Sequence, residues 1–506
     1  MSDQQMYIAV LIACGVLLAG VVAVRISSRS SLPGLLLYLG IGLLIGEAGF
    51  GIRFDDARLA YNIAVLLVAI LLFDGGFTTR WSEFRPVAAR AGLLGTVGVL
   101  VSVAIAATVA VLVLGVDVRT GILLAAMVSS TDAAAVFAIL RRLPLKARVR
   151  TTLEGESGVN DPPAIIIVTV VVSDAWHEMD IPTMISTGLF QLAVGAVVGL
   201  VIARLGQSLL HRISLPSAGL YPLATLAIAL TAYSAAGTLQ ASGLLAAYVA
   251  GLWLGNQALP HHASTEGFTE SLGWLSQIML FVLLGLLASP KELPAAILPA
   301  LVIGSALMFL ARPISVAVCL TPFRERFRTQ LFISAAGMRG AVPIMLATIP
   351  LTQNLPGASH MFHVIFLLVV MFTLLQGPLL PRLAPWAGVI DRICPQALNF
   401  ESSPLEGINA SLVQFTVPKQ GQLVGMWGTD LRLPHGAVLS MVVREKEIIV
   451  PDASLRLRGG DQLLLAVDSG LVERVQGRLS LLNEGGPLAR WLVSGRNRRR
   501  LLDGDA

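Results

Sequence analysis

Gly155-Glu156-Ser157-Gly158-Val159-Asn160-Asp161-Pro162-Pro163 leads into the apolar run from Ala164 to Val172. Charge inside a bilayer is costly, so a carboxylate at the head of such a run marks a functional position by default. On a helix, Ser157, Asn160 and Asp161 stand at i, i+3 and i+4, which puts their oxygens on one face. Oxygen ligands of this kind suit a dehydrated alkali cation, which is a hard cation. The two prolines lack backbone donors and predict a kink or a helix restart. Read alone, the stretch also fits a helix entry at the membrane surface, with Asp161 as an N-terminal charge ahead of the prolines.

The rest of the chain argues for the membrane interior. Of 506 residues, 55% are hydrophobic and 13% charged, and the mean hydropathy is +0.76. No ordinary soluble globule has this composition. The net charge of +5 falls in short loops between apolar runs, so it does not indicate nucleic-acid binding. Cys14, Cys319 and Cys394 lie far apart and give neither a disulfide framework nor metal spacing. The run Met6 to Val24 lacks a basic leader and a small-residue cleavage site, and reads as a retained helix.

Apolar runs predict thirteen membrane helices, near 6–24, 34–46, 59–77, 87–114, 119–141, 152–172, 185–206, 219–238, 242–255, 270–288, 294–320, 328–350 and 360–381. Loops after odd-numbered helices hold fifteen Lys and Arg residues against four on the other side. The odd side is then cytoplasmic, the N-terminus outside and the C-terminal segment inside. The fifth helix contains Ser129-Ser130-Thr131-Asp132. The twelfth contains Gly337-Met338-Arg339-Gly340-Ala341-Val342-Pro343. With the seventh helix as a linker, each is the fifth of six. Paired helix breaks in two halves point to a transporter site. There Asp132 can neutralise exposed N-terminal dipole ends and Arg339 the C-terminal ends.

Arg312 and Arg339 are intramembrane cations that need partners, and Glu156 is the nearest acid by depth. A Glu156–Arg339 bridge is therefore expected, which leaves Asp161 free to exchange a proton. Competition between cation and proton for one carboxylate yields exchange with no further coupling device. Asp74, in Leu72-Phe73-Asp74-Gly75-Gly76, is either a funnel carboxylate or a C-terminal turn residue. The glycine after it favours the turn. Beyond residue 400 the pattern changes to short strands at 411–417, 437–443, 446–450 and 462–467, then a helix at 469–480. The expected layout is a membrane domain over 1–390, a small α+β domain over 400–482 and a basic tail over 483–506. Arg496, Arg498, Arg499 and Arg500 in the tail read as a solvated end, with anionic lipid as a weaker option.

The strings GESGVNDPPA, VSSTDAAAVF, LLFDGGF and GMRGAVPIMLA closely resemble the NhaP-type cation/proton antiporters over nearly all of residues 1–390, and the four motifs in this order are highly specific. SSTDAAAVF with NDP resembles the bacterial potassium/proton branch. Residues 405–480, with Val450-Pro451-Asp452, Leu457 and Gly460-Asp461, look like the C-terminal half of an RCK module, the TrkA-C domain. The resemblance implies an all-α polytopic protein of the bacterial inner membrane, with two inverted six-helix repeats and crossed broken helices. It implies a homodimer that exchanges K+ or Na+ for H+ by alternating access and needs no cofactor. It makes Asp161 the ion and proton site, assisted by Asn160, Ser157, Thr131 and Asp132, with Glu156 and Arg339 as structural ion pair and Asp74 and Arg312 as accessory residues. Asn160 stands where electrogenic relatives carry a second Asp, which implies one-for-one, electroneutral exchange. Asp74 occupies a position that is Glu in some relatives, so it carries over only as an accessory candidate. No N-terminal RCK half with a Gly-rich nucleotide fingerprint is present, so dinucleotide control is not expected. A cyclic dinucleotide or another small ligand at the C-terminal module stays open.

Two other classes fit less well. An RCK-regulated potassium channel needs a TVGYG-like filter, and the chain has none. An intramembrane aspartyl protease pairing Asp132 with Asp161 lacks the Tyr-Asp and Gly-x-Gly-Asp contexts.

Overall fold

The computed structural model describes residues 3–29, 34–47, 49, 51, 56–132, 145–173, 176, 181–390, 400–405, 410–418, 422–445, 447–452 and 454–483. They fall into two compact units, Met1–Ile390 and Asp391–Ala506. The first unit is helical. Its helices are α1 (Asp3–Arg29), α2 (Gly34–Ile45), α3 (Ala57–Thr78), α4 (Ala88–Leu114), α5 (Val118–Ser129), α6 (Ala147–Val172) and α7 (Ile181–Arg212). Then follow α8 (Leu220–Thr238), α9 (Gly243–Gly255), α10 (His262–Leu286), α11 (Leu293–Phe323), α12 (Phe327–Ala336), α13 (Ala341–Thr352) and α14 (Ala358–Ala387).

Among the described residues, eight helices are long and apolar enough to cross a membrane, and α12 with α13, bent by 52°, makes a ninth span. The shorter α2, α5 and α9 are also apolar. The first half of α6 is too polar to qualify by composition, which is what singled it out in the sequence. This order follows the thirteen expected runs, with ends moved by a few residues. Asp56 and Asp117 supply start signals, accepting from Leu59 N at 2.9 Å and Thr120 N at 3.0 Å.

Packing divides the unit into two groups. α3, α9 and α10 pack together, with α2 on α10 and α7 and α8 on α9. On the other side α4 and α5 pack on α6, and α14 packs on α11, α12 and α13. Contacts of α3 with α13 and of α9 with α6 join the groups. A close approach at that seam needs a missing side chain: a Cβ on Gly158 would lie 2.5 Å from the Tyr248 ring.

The two halves also share irregularities. π-turns interrupt α4 at Leu94–Gly98 and α11 at Leu307–Ala311, the fourth helix of each six. Breaks follow in the fifth of each six, at Ser130–Asp132 and Gly337–Gly340. The expected continuation of the fifth helix over 133–141 lies outside the described residues.

The second unit is a five-stranded antiparallel sheet in the order β1-β2-β5-β3-β4, with β1 Phe400–Leu405, β2 Ala410–Thr416, β3 Ala437–Arg444, β4 Glu447–Ile449 and β5 Gln462–Asp468. Alternation along β2 and β5 sends Val413, Phe415, Leu463, Leu465 and Val467 into a core shared with Val475, Leu479 and Leu482 of α15 (Val472–Asn483). Strand β1 was not expected, since its Ser-Ser-Pro carries little strand signal. The turn before β5 places Gly460 at φ +96°, where a side chain would be strained. Nearly all of the basic tail, 484–506, lies outside the described residues.

Candidate functional site

The helix α6 runs unbroken through Pro162 and Pro163, so the expected restart does not occur. The prolines act more locally: without their N–H groups, the carbonyls of Gly158 and Val159 lose their helical donors. Asp161 sits one turn on, buried with Ser157 and Asn160 on the face toward the α5 break. Ser130 Oγ donates to Asp161 Oδ1. Asn160 Nδ2 donates to Thr131 Oγ1, which lies 3.1 Å from Ser157 Oγ. Asn160 Oδ1 is buried with no hydrogen-bond donor among the described residues. The cluster thus presents one carboxylate, one amide oxygen unpaired among the described residues and three hydroxyls, all buried. The π-turn of α4 packs Gly95 directly on Val159 and the Asn160 backbone.

The two helix breaks meet beside this cluster. Asp132 N donates to Met338 O at 2.9 Å. Arg339 Nη1 donates to Ser129 O at 3.0 Å and Ser130 O at 2.9 Å, the exposed carbonyl end of α5. The Asp132 carboxylate lies against Gly340, ahead of the first turn of α13; a Cβ there would fall 1.6 Å from Oδ2. Cation at the C-terminal end and anion at the N-terminal end are the placements expected from the dipoles. Thr131 and Ser157 join Asp161 and Asn160, while Asp132 serves α13 beside them.

Glu156 does not form its ion pair with Arg339. Arg312 takes that place, with Nη1 2.5 Å from Glu156 Oε1, and the residues are 3% and 1% exposed. The reason is helix phase: Arg312 follows directly on the α11 π-turn, whose extra residue per turn re-aims the side chains after it. Arg339, 0% exposed, is drawn instead to the α5 carbonyls, though it still feels both Glu156 and Arg312. Asp74 also departs from the turn reading, because α3 continues through Gly75-Gly76 to Thr78. Its carboxylate lies against Gly273 of α10, with Oδ1 buried and unpaired among the described residues. Ser130 is the contributor that sequence reasoning left out of the site. Its signal was present in the quoted Ser-Ser-Thr-Asp, but the hydroxyl that faces Asp161 depends on the extended backbone at Ser130, ψ 140°. A cavity of about 430 Å³ opens beside Pro162, between α3, α6, α7 and α8, lined also by Tyr61, Gln191, Tyr233 and Ser242.

Meeting helix breaks around a buried carboxylate, in a multi-pass membrane unit, define a secondary transporter of small cations. The transmembrane sodium/hydrogen exchanger family matches residues 13–386, and the TrkA-C domain matches residues 412–480. The K(+)/H(+) antiporter NhaP of Alkalimonas amylolytica is 36% identical over 447 residues, covering 86% of this chain and 77% of that protein. The K(+)/H(+) antiporter NhaP2 of Shewanella sp. (strain ANA-3) is 35% identical, covering 90% and 79%. The solved structure of the sodium proton antiporter MjNhaP1 from Methanocaldococcus jannaschii at pH 8 shares the fold, with a TM-score of 0.66, 23% identity and coverage of 75% of this chain and 98% of that one. The chain belongs to the sodium/hydrogen exchanger family and is a monovalent cation/proton antiporter with an attached TrkA-C domain.

Proposed function

We infer that this antiporter exchanges potassium for protons, one for one, at Asp161. The observation that carries the reading is the buried Asp161 carboxylate, bonded to Ser130 and neighboured by the unpaired Asn160 Oδ1. An ionised, empty carboxylate in a low-dielectric seam is costly to carry across a membrane. Either a proton or a dehydrated cation removes that charge. The neutral, loaded forms then move between the two faces, and the empty form does not, so exchange is obligatory. With an amide at position 160 in place of a second acid, each loaded form carries no net charge, which supports electroneutral exchange. Ser130, Thr131 and Ser157 hydroxyls and Asn160 Oδ1 complete the cation's oxygen shell, while Glu156 with Arg312, and Arg339 with the α5 carbonyls, hold the scaffold. Loop charge puts the cavity beside Pro162 on the external side, as the outer approach to the site.

Potassium is favoured over sodium by the naming of the NhaP and NhaP2 relatives as K(+)/H(+) antiporters and by the TrkA-C domain. That domain acts as a regulatory module on the cytoplasmic side, and the transporter works as a homodimer in a bacterial inner membrane. The test is dequenching of a pH dye in proteoliposomes. Potassium should give a clearly larger proton response than sodium at equal concentration and pH, and Asp161→Asn should abolish both. A response to sodium alone overturns the potassium assignment; undiminished exchange by the variant overturns the site.

A further inference from the structure

Outside the Asp161 cluster, the last turns of α7 and the end of α9 frame a shallow, open pocket of about 430 Å³, lined by Arg204, Gln207, Ser208, His211, Arg212 and Trp253. No acid lines it. Arg204 stacks over the Trp253 ring, 4.4 Å from its centroid. The ring is itself fixed, since Trp253 Nε1 donates to Gln207 Oε1 at 2.9 Å and Gln207 Nε2 to Gln257 Oε1 at 3.2 Å. Arg204 and Arg212 have no carboxylate partner among the described residues.

Depth makes this arrangement informative. Arg204 lies eight residues before the end of α7, or about 12 Å along the axis. On the same helix Val197 and Val201 above it, Leu205 at its level and Leu209 one turn below form an exposed apolar strip. A guanidinium beside this exposed apolar strip, with His211 and Arg212 nearer the helix end, has no carboxylate among the described residues to neutralise it. Trp at this level is the usual interfacial anchor.

We propose that this pocket binds the phosphate headgroup of an anionic phospholipid, with its acyl chains laid on the α7 strip. Arg204 and Arg212 bracket the phosphate, Ser208 and His211 supply further donors, and the Trp253 ring orients Arg204. Basic pockets between helices on the cytoplasmic side are suited to such headgroups. A free phosphate ion would meet the same cations but gain nothing from the apolar strip.

The test uses the full-length purified protein, delipidated and melted after addition of phosphatidylglycerol, phosphatidylcholine or inorganic phosphate. Phosphatidylglycerol should raise Tm, and phosphatidylcholine and phosphate should not. Each cation removed should weaken phosphatidylglycerol binding about five-fold. Arg204→Gln tests the stacked cation. Because that variant also loses ring packing, the exposed pair His211→Gln/Arg212→Gln tests the pocket without touching the fold. Equal phosphatidylglycerol stabilisation of the parent and both variants overturns the proposal. So does stabilisation by inorganic phosphate equal to that by the lipid, which would make the pocket a soluble-anion site.

Discussion

Glu156→Gln removes the carboxylate that Arg312 holds at 2.5 Å and leaves Arg312 and Arg339 buried together without it. Breaking a buried pair on one side typically costs about 3–5 kcal/mol, because the remaining charge keeps its desolvation penalty. Unfolding entropy of roughly 2 cal/mol/K per residue, over a unit the size of Met1–Ile390, turns that loss into a Tm drop of about 4–6 °C. The drop is larger if a smaller part of the unit melts cooperatively. The assay is thermal unfolding of purified protein by intrinsic fluorescence, run as a double-mutant cycle. Glu156→Gln with Arg312→Met should lose clearly less than the two single losses combined. Glu156→Gln with Arg339→Met should come close to additive, since Arg339 bonds the α5 carbonyls. A Glu156→Gln protein as stable as the parent, or stronger coupling to Arg339 than to Arg312, refutes the pairing.

Thr131→Val removes the acceptor of Asn160 Nδ2 and the neighbour of Ser157 Oγ while keeping shape; the half-saturating cation concentration in the exchange assay should rise about five- to ten-fold with the fold intact. An unchanged value removes Thr131 from the site. In the TrkA-C domain, burial pushes the Asp461 carboxyl up, but two bonds from Arg444 at 2.8 Å and one from Arg458 N at 2.7 Å outweigh it and hold it below the usual range. A depressed carboxyl stabilises fully above its unfolded value and loses that contribution as pH falls through the folded one. Hydrogen exchange of β2 and β5 in the full chain, corrected for intrinsic rates, should therefore quicken on acidification below the usual carboxylate range. Asp461→Asn should cost about 1.5–3 kcal/mol at neutral pH and flatten that acid dependence. Acid sensitivity identical to the parent's would contradict it.

Much of this architecture is legible in the residues. Apolar run lengths set the membrane segments, and Ser-Ser-Thr-Asp and Gly-Met-Arg-Gly announced the two breaks, because polar and helix-breaking residues have few other uses in an apolar span. The dipole roles of Asp132 and Arg339 followed from their signs. The partner of Glu156 was not legible. Depth along the bilayer ranked Arg312 and Arg339 alike, and the choice turns on a π-turn over Leu307–Ala311, a run with no marking residue. The unbroken course of α6 was also hidden: neighbours on α4 and α5 hold a helix that two adjacent prolines would weaken in isolation. Asp74-Gly-Gly read as a helix end for a similar reason. Those glycines serve close packing instead, since a Cβ on Gly76 would meet Tyr248 O at 2.3 Å.

The central claim is that one carboxylate, Asp161, takes proton and cation in turn. The measurement is the half-saturating potassium concentration for exchange in proteoliposomes, followed as pH is lowered with equal pH on both sides. Direct competition predicts a rise approaching about tenfold per pH unit on the acid side, with the maximal rate regained at saturating potassium. A half-saturating concentration that stays constant with pH, while the maximal rate alone falls, would place proton and cation on different groups and contradict the account.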